Sequence, residues 1–199
     1  MGQYYQAVTK KGNKFTVYSL QTTKFNGHNY NYYNGLKLME HSYWKNDFCC
    51  AFAEKLVDNP TKVAWIGDYA EPEECAAVKF NYKKVWGDKA VAEKIEPSKF
   101  KMSSVKYLIN NSKKTYVNLK KYYKNSSWED EWDGKKYKMC IFPISLLTAI
   151  GNGRGGGDYH ESCGTDYEKV GSWAGDEIYL SNELPENYEE LEVVFKEVR

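Results

Sequence analysis

The densest group of residues that could carry chemistry is a glycine-rich run at residues 151–160, with the sequence GNGRGGGDYH. Five of its first seven residues are glycine, and it contains Arg154, the only arginine besides the terminal Arg199. Successive glycine amides can form a concave nest for an anion, and a guanidinium group can bind phosphate or carboxylate through two parallel hydrogen bonds. We therefore predict a glycine-rich loop at residues 151–165 whose amides and guanidinium group face an anionic ligand.

This run also has a purely structural interpretation, as a connector in which Arg154 pairs with a carboxylate of the same chain. It is not a Walker A loop, because no Gly-Lys-Ser/Thr follows, and its G-x-G-x-x-G spacing lacks the strand and helix that flank a dinucleotide site. Under the ligand interpretation, the predicted ligand-binding residues are Gly153, Arg154, Gly155, Gly156, Asp158, His160 and Trp173.

A second group of candidate residues follows a repeated pattern, WIGD at residues 65–68 and WAGD at residues 173–176. Asp68 and Asp176, with Asp158 and His160, would supply metal ligands or a general base for metal-assisted hydrolysis of a nucleotide or another phosphoester. Gly-Asp is also an ordinary turn pair, and that interpretation is favoured. No catalytic residue, metal site or cofactor is assigned from the sequence.

Residue types used in nucleophilic catalysis occur at His41 and Ser42, and at Cys163 and His160, without the local motifs of known hydrolases. There is no G-x-S-x-G elbow and no cysteine-protease context. We expect His41 to be a hydrogen-bonded polar group near a helix start, and His28 to be exposed. The absence of a catalytic signature favours a protein that is not an enzyme.

Lysines occur in three short clusters, two of which also contain tyrosine, a combination that can bind phosphates and stack on bases. The clusters occupy residues 113–114, 120–124 and 135–138. The chain as a whole has 28 basic and 27 acidic residues, so no overall field attracts nucleic acid. A solvated surface is therefore the favoured interpretation, and nucleic-acid binding is the less favoured one.

The pattern of apolar residues and turn residues predicts two β-hairpins and two helices. The hairpins are expected at residues 4–9 with 15–20 and at residues 105–109 with 115–119. One amphipathic helix is expected to begin at Asn46 or Asp47 and to end before Pro60. A second helix is expected to begin near residue 71 and to fade over residues 80–87.

Further strands, one turn and one loop complete the prediction. The strands are expected at residues 62–66, 137–142 and 176–180, an acidic turn at residues 128–134, and an exposed loop insertion at residues 21–34. Because hairpins and helices do not alternate strictly, we predict the α+β class, with a mainly antiparallel sheet and two or three helices packed on it.

The chain has 199 residues, which is consistent with one globular domain spanning residues 1–199. No apolar stretch is long enough to cross a bilayer, and the first residues lack the features of a secretory signal, so we expect a cytoplasmic protein without a membrane partner. Five cysteines without C-x-x-C spacing are typical of buried thiols rather than of disulfides or a zinc site.

Several motifs together resemble a family of uncharacterised bacterial and phage proteins. They are MGQYY at residues 1–5, KLMEHSY at 37–43, WIGDYA at 65–70, GNGRGGGDY at 151–159 and WAGD at 173–176. The resemblance covers nearly the whole chain, with residues 21–34 and 122–136 the less typical parts. It implies a compact intracellular protein of the kind that mobile elements carry, and it implies no particular activity.

The expected function is that of a non-enzymatic binding protein. In line with the resemblance, it would be a phage or mobile-element accessory factor that inhibits a host defence component. It would do so by occluding a protein partner or by sequestering a phosphorylated small molecule, such as a nucleotide, at Arg154 and its glycines. The metal-assisted hydrolase and a nucleic-acid-binding module that uses its lysine and tyrosine surface stay open as alternatives.

Overall fold

The computed structural model describes residues 2–20, 23–25, 28–30, 35–87, 91–162 and 164–196. Within these ranges, the α-helices are α1 (Asp47–Glu54), α2 (Pro72–Ala77), α3 (Tyr82–Trp86), α4 (Leu119–Ser126) and α5 (Pro143–Leu147). The strands are β1 (Tyr5–Lys11), β2 (Lys14–Leu20), β3 (Thr23–Phe25), β4 (His28–Tyr30), β5 (Thr61–Gly67), β6 (Ala92–Ile95), β7 (Tyr107–Asn110), β8 (Thr115–Asn118), β9 (Trp128–Trp132), β10 (Lys135–Met139), β11 (Ala149–Ile150), β12 (Glu177–Ser181) and β13 (Glu189–Glu190).

Nine of these strands form one mixed sheet, in the order β13-β8-β7-β12-β5-β1-β2-β6, with β11 also paired to β5. Five of its ladders are antiparallel, and three are parallel. The predicted α+β class with a mainly antiparallel sheet is therefore confirmed. The described residues form five short helices rather than the two or three that we expected.

The first predicted hairpin forms from β1 and β2, with Ala7 opposite Tyr18 and Lys11 opposite Lys14. Gly12 makes the turn with a φ of 57°, a backbone conformation that costs glycine little. The second predicted hairpin forms from β7 and β8, with Leu108 opposite Val117.

Strand β5 lies in the middle of the sheet and is buried on both faces. Val63 and Trp65 belong to the apolar cluster on one face, and Ala64 and Ile66 belong to the cluster on the other face. Because successive strand residues point to opposite faces, a strand of this kind is apolar throughout rather than alternating. The first face is covered by α1 and α5, and the second by residues of α2 and α3.

Helix α1 begins where the sequence predicts, at the cap residue Asn46. The side chain of Asn46 accepts hydrogen bonds from the amides of Phe48 at 2.8 Å and Cys49 at 3.2 Å. Such a cap contributes about 1 kcal/mol. The helix packs its rings against the sheet, where the centroids of Phe52 and Trp65 lie 5.3 Å apart in an edge-on arrangement. The predicted amphipathic helix is confirmed.

The helix expected from residue 71 onward is two short helices instead of one that fades. A capping box between Glu71 and Glu74 starts α2. Lys79 then adopts a left-handed φ of 65°, which ends the helical path. Asn81 caps the next helix, α3, by accepting a hydrogen bond from the amide of Lys84 at 3.2 Å. Local capping by Asn81 therefore divides the segment.

Two segments predicted as turn or loop contain strands. The acidic residues expected as a turn form β9, which pairs with β10 in a separate hairpin with Lys136 opposite Glu131. Opposite charges across the two strands favour this pairing. In the expected insertion, β3 and β4 pair with Phe25 opposite His28, while residues 21, 22, 26, 27 and 31–34 lie outside the described residues.

None of the helices in the described part of the chain has the length and apolar character needed to cross a membrane.

Candidate functional site

The glycine-rich run forms the predicted amide nest, and the nest is occupied by the chain's own Asp158. One oxygen of this carboxylate, Oδ2, accepts hydrogen bonds from the amides of Gly153 at 2.9 Å, Arg154 at 2.8 Å and Gly155 at 2.9 Å. The other oxygen accepts a hydrogen bond from the Tyr5 hydroxyl group at 2.9 Å. Asp158 is only 1% exposed. The amides thus satisfy a buried internal charge.

Glycine is required in this run because the backbone turns tightly against the first strand. Gly153 has a φ of 92°, in the left-handed region. At Gly155, a β-carbon would lie 2.8 Å from the backbone nitrogen of Gln3. The Gln3 amide donates a hydrogen bond to the Gly156 carbonyl group at 3.0 Å, which ties the run to the start of the chain.

The guanidinium group of Arg154 is paired with a carboxylate of α2. It donates two parallel hydrogen bonds to Glu74, each of 2.7 Å, and a third to the Tyr69 carbonyl group at 2.8 Å. Burial tends to raise the pKa of Glu74, but the hydrogen bonds from Arg154 and the Glu71 amide outweigh it and leave that pKa lowered. This corrects our expectation that the guanidinium group and amides face an incoming anion, since both face carboxylates of the chain.

The remaining residues predicted to bind a ligand do not form an open site with Arg154. Trp173 is 2% exposed and belongs to the apolar core on the first face of the sheet, so its ring is not available to a ligand. His160 is half-buried. A ligand-binding role for these residues stays a prediction, and it would require a ligand to displace Asp158 or Glu74.

The four predicted metal ligands are not brought together. Asp68 follows the last residue of β5, whereas the carbonyl group of Asp176 accepts a hydrogen bond from the Val63 amide near the start of that strand, at 3.1 Å. Five strand residues at about 3.3 Å each separate the two backbones by roughly 16 Å. No group of three or more His, Cys, Asp or Glu side chains among the described residues could hold a metal ion.

Asp68 lies near Asp158, and Asp176 has partners of its own. Burial raises the pKa of Asp68, and the charge of Asp158 adds to that rise. Asp176 accepts a hydrogen bond from the Asn110 amide group at 2.8 Å and pairs with Lys113 at 3.3 Å. The Asp176 carboxylate therefore binds residues of the second hairpin and its turn.

The residues considered for nucleophilic catalysis have structural roles where they are described. The Nδ1 atom of His41 accepts a hydrogen bond from the Lys37 amide at 3.3 Å, and burial lowers the His41 pKa. The hydroxyl group of Ser42 donates to the Lys37 carbonyl group at 3.0 Å. The prediction of a hydrogen-bonded His41 is confirmed. Cys163 and the side chain of His28 lie outside the described residues.

The four cysteines that the structure describes are buried free thiols, as predicted. Burial raises the pKa of Cys50 and Cys75 to about 11 and that of Cys140 to about 12. Since the thiolate is the reactive form, these cysteines are poor nucleophiles near neutral pH.

A large open cavity lies elsewhere, on the first face of the sheet, and we call it the lysine groove. Its volume is about 1150 Å³. Apolar side chains form its floor, namely Trp44, Met102, Val105 and Leu119. Five exposed lysines line it, namely Lys45, Lys99, Lys101, Lys106 and Lys120. Three partly exposed rings complete the lining, namely Phe100, Tyr107 and Tyr123.

Buried neighbours hold the lysines of the groove in place. Met102, 1% exposed, and Val105, 7% exposed, anchor the segment that carries Lys101 and Lys106 in the core. The carbonyl group of Lys106 accepts a hydrogen bond from the Leu119 amide at 2.9 Å, which joins this segment to the start of α4. The backbone that carries Lys101 and Lys106 is therefore held by the core, while the side chains of these lysines are exposed.

The charge of the groove is strongly one-sided. The only carboxylate that lines it among the described residues belongs to Asp47. None of the five lysines makes an ion pair with a described residue. By contrast, Lys121 on another side of α4 pairs with Glu190 at 2.9 Å. The groove thus concentrates unpaired positive charge in a chain whose formal net charge is +1.

Two aromatic rings of the groove, those of Tyr123 and Tyr107, pack against neighbouring side chains. The ring of Tyr123 lies 5.2 Å from that of Trp44, and the ammonium group of Lys138 lies 5.2 Å from the centre of the Tyr123 ring. Tyr107 packs edge-on against Tyr116, with ring centroids 5.5 Å apart. These contacts hold the rings of Tyr123 and Tyr107 against neighbouring side chains, and both residues are partly exposed.

Only part of this site was predicted from the sequence. Lys120 and Tyr123 belong to one of the predicted lysine and tyrosine clusters. In the same cluster, Tyr122 is buried and donates to the Ile141 carbonyl group at 3.0 Å. The segment KFKM at residues 99–102 was not predicted to belong to a site. Its alternation of lysine with apolar residues is typical of a segment that buries one side and exposes positive charge on the other.

No protein-family model matches the chain, and neither a curated protein nor a solved structure matches it. The resemblance to bacterial and phage proteins therefore stays a prediction, and a functional proposal depends on the geometry of the site.

Proposed function

We propose that this protein is a non-enzymatic binding protein that holds an anionic ligand in the lysine groove. The observation that supports the proposal is the set of five exposed lysines, none in an ion pair with a described residue, around one cavity whose described lining contains a single carboxylate. Like charges placed together repel one another, and a cleft with low-dielectric walls concentrates their field. An anionic ligand would relieve that repulsion.

The near balance of charge in the whole chain makes the groove distinctive. The chain has 28 basic and 27 acidic residues, so an excess of positive charge at one place does not follow from the composition. Among the described lysines outside the groove, those in ion pairs with described residues are Lys37, Lys55, Lys113, Lys121 and Lys169. What sets the groove apart is the clustering of five lysines around one cavity with a single carboxylate in its described lining, which favours a binding role over a general solvated surface.

The anionic ligand expected from the sequence is retained in this proposal, and its site moves from residues 151–160 to the groove. A role against a host defence component, and the alternative of a protein partner, depend on the resemblance and stay predictions. A hydrolase built on Asp68, Asp158, His160 and Asp176 is not proposed, because Asp176 is far along β5 from Asp68.

The proposal is tested by titrating labelled inorganic polyphosphate into the full chain and into two charge-matched variants. Lys99→Gln with Lys106→Gln removes two charges from the groove. Lys83→Gln with Lys84→Gln removes two exposed charges of α3, the helix whose Val85 packs in the apolar cluster on the opposite face.

The groove variant should bind polyphosphate at least ~25-fold more weakly, since each contact between unit charges near the surface contributes about 1 kcal/mol or more. The control variant should bind like the unmodified chain. Failure of the unmodified chain to bind, or equal weakening in both variants, would overturn the proposal.

A further inference from the structure

We infer that the ligand of the lysine groove is single-stranded nucleic acid. This inference rests on the proposed function, because it names the class of anion that the groove takes. It depends on three observations of the groove, namely its size, the chemistry of its cations and the rings that line it.

The size of the groove favours an extended ligand. Its volume of about 1150 Å³ exceeds the range of about 300–1,000 Å³ that is typical of small-molecule pockets. The lysines come from separate segments around the cavity, with Lys45 before α1, Lys106 before β7 and Lys120 in the first turn of α4. Positive charges supplied from several sides suit a ligand that carries several phosphates along its length.

The cations that line the groove in the described part of the chain are all lysines. Arginine binds carboxylate or phosphate through a planar fork that fixes one geometry, whereas lysine acts as a mobile point charge. A backbone whose phosphates shift in register is therefore better served by lysines. For the carboxylates of an acidic peptide, lysines would offer no comparable advantage over arginines.

The rings of the groove provide stacking surfaces that phosphates alone would not need. Phe100 has no polar group, yet it lies partly exposed between Lys99 and Lys101. Tyr107 and Tyr123 are likewise partly exposed. Cations interleaved with exposed rings are the arrangement by which proteins bind single strands without sequence preference. In a duplex, the bases are stacked on each other inside the helix and could not reach these rings.

A further lysine contacts the groove at Tyr123. The ammonium group of Lys138, on β10, lies over the Tyr123 ring at 5.2 Å. Lys136 and Lys138 lie opposite Glu131 and Glu129 of β9, so the hairpin beyond Tyr123 carries both signs of charge. The positive charge that would bind a strand is therefore that of the groove itself.

The inference is tested with the full chain and five labelled probes at equal concentration, namely oligothymidylate, oligouridylate, a DNA duplex, polyphosphate and polyglutamate. We expect either single strand to bind more tightly than the other three probes. The dependence of the logarithm of the binding constant on the logarithm of salt concentration should lose about 1.4 in slope when Lys99 and Lys106 are both replaced by Gln, because each phosphate contact to a single strand contributes about 0.7.

Variants of the rings separate stacking from charge. Phe100→Leu and Tyr123→Leu keep apolar bulk but remove the ring, and each should weaken oligonucleotide binding by roughly 5- to 150-fold while leaving polyphosphate binding unchanged. Tyr123→Phe keeps the ring and should restore the oligonucleotide binding that Tyr123→Leu loses. Phe15→Leu, on the opposite face, is the matched control, and circular dichroism confirms that each variant is folded.

The outcomes distinguish this inference from the proposed function. If polyphosphate binds as tightly as the oligonucleotides and the leucine variants change neither, the inference is wrong while the proposed function stands. If polyglutamate binds most tightly, the ligand is an acidic protein segment and the inference is overturned. If no anion binds, both fail.

Discussion

The Tyr5 hydroxyl group donates a 2.9 Å hydrogen bond to the carboxylate of Asp158, and both side chains are about 1% exposed. This bond joins the first strand to the glycine-rich run, 153 residues later in the chain. Together with the three amides of residues 153–155, it surrounds a buried negative charge with four donors. The run that most resembles an anion-binding loop therefore has a structural role, as a joint that links the first strand to residues 153–158.

We expect this joint to contribute strongly to stability. Asp158→Ala leaves three part-buried amides without this partner and should lower the free energy of unfolding by about 3 kcal/mol, since a hydrogen bond to a charged group contributes about 1.5–3 kcal/mol. Tyr5→Phe should cost about 1–2 kcal/mol. The double variant should lose less than the sum, because both changes remove the same bond.

Chemical denaturation of the four chains measures this coupling. Tyr4→Phe, a change at a half-buried neighbour, is the control and should alter stability by less than about 0.5 kcal/mol. Strictly additive losses for Tyr5→Phe and Asp158→Ala would show that the two side chains are not coupled.

The ionisation of Tyr5 should make the protein less stable at alkaline pH. Burial, and then the charge of Asp158, raise the Tyr5 pKa well above its ordinary value. In the unfolded chain a tyrosine loses its proton near pH 10, whereas in the folded chain Tyr5 keeps it. The stabilisation is thus fully present below about pH 10 and falls as pH rises above that value.

Stability measured between pH 9 and pH 11, where unfolded tyrosines ionise, tests this effect. Tyr5→Phe should be less stable than the unmodified chain at neutral pH, and the difference should shrink as pH rises. A difference that stays constant across this range would contradict the raised pKa.

Arg154→Ala tests whether the guanidinium group serves the fold or a ligand. Its pair with Glu74 is partly exposed, with side-chain exposures of 36% and 39%, so removing it should cost about 1 kcal/mol or less. Because the Glu74 pKa is lowered, this contribution should disappear as the pH falls through that pKa.

Oligonucleotide binding by Arg154→Ala should equal that of the unmodified chain, since Arg154 does not line the groove. Thermal denaturation measures the small loss of stability, and fluorescence anisotropy measures the binding. If Arg154→Ala lost binding without losing stability, the ligand site would lie at residues 151–160 and not in the groove.

Local signals predicted much of the fold. Gly12 with Asn13, and the cap at Asn46, specify turns and helix starts from a few neighbouring residues. The prediction was wrong at β9, where the turn consists of Asp133 and Gly134, with φ of 52° and 70°, and does not include the acidic residues before them. The acidic segment of β9 looks like a turn in isolation, and it is a strand because Lys136 and Lys138 of β10 lie opposite Glu131 and Glu129.

The candidate site was harder to predict because proximity in the chain does not show which charges are already paired. Arg154 and its glycines look open in the sequence, but Glu74 lies 80 residues away and Asp158 folds back on the run. Conversely, Lys45 and Lys106 become neighbours of one cavity only through the packing of α1, α4 and the segment around Met102. Neither relationship has a local signature.

Photochemical crosslinking tests the central claim most directly. An oligouridylate that carries 4-thiouridine would be irradiated with the full chain, and the crosslinked peptides identified by mass spectrometry. We predict adducts at Phe100, Tyr107 or Tyr123, which unlabelled single strand should compete away and which should weaken when Lys99 and Lys106 are replaced by Gln. Adducts confined to residues 151–160, or spread evenly over the surface, would contradict it.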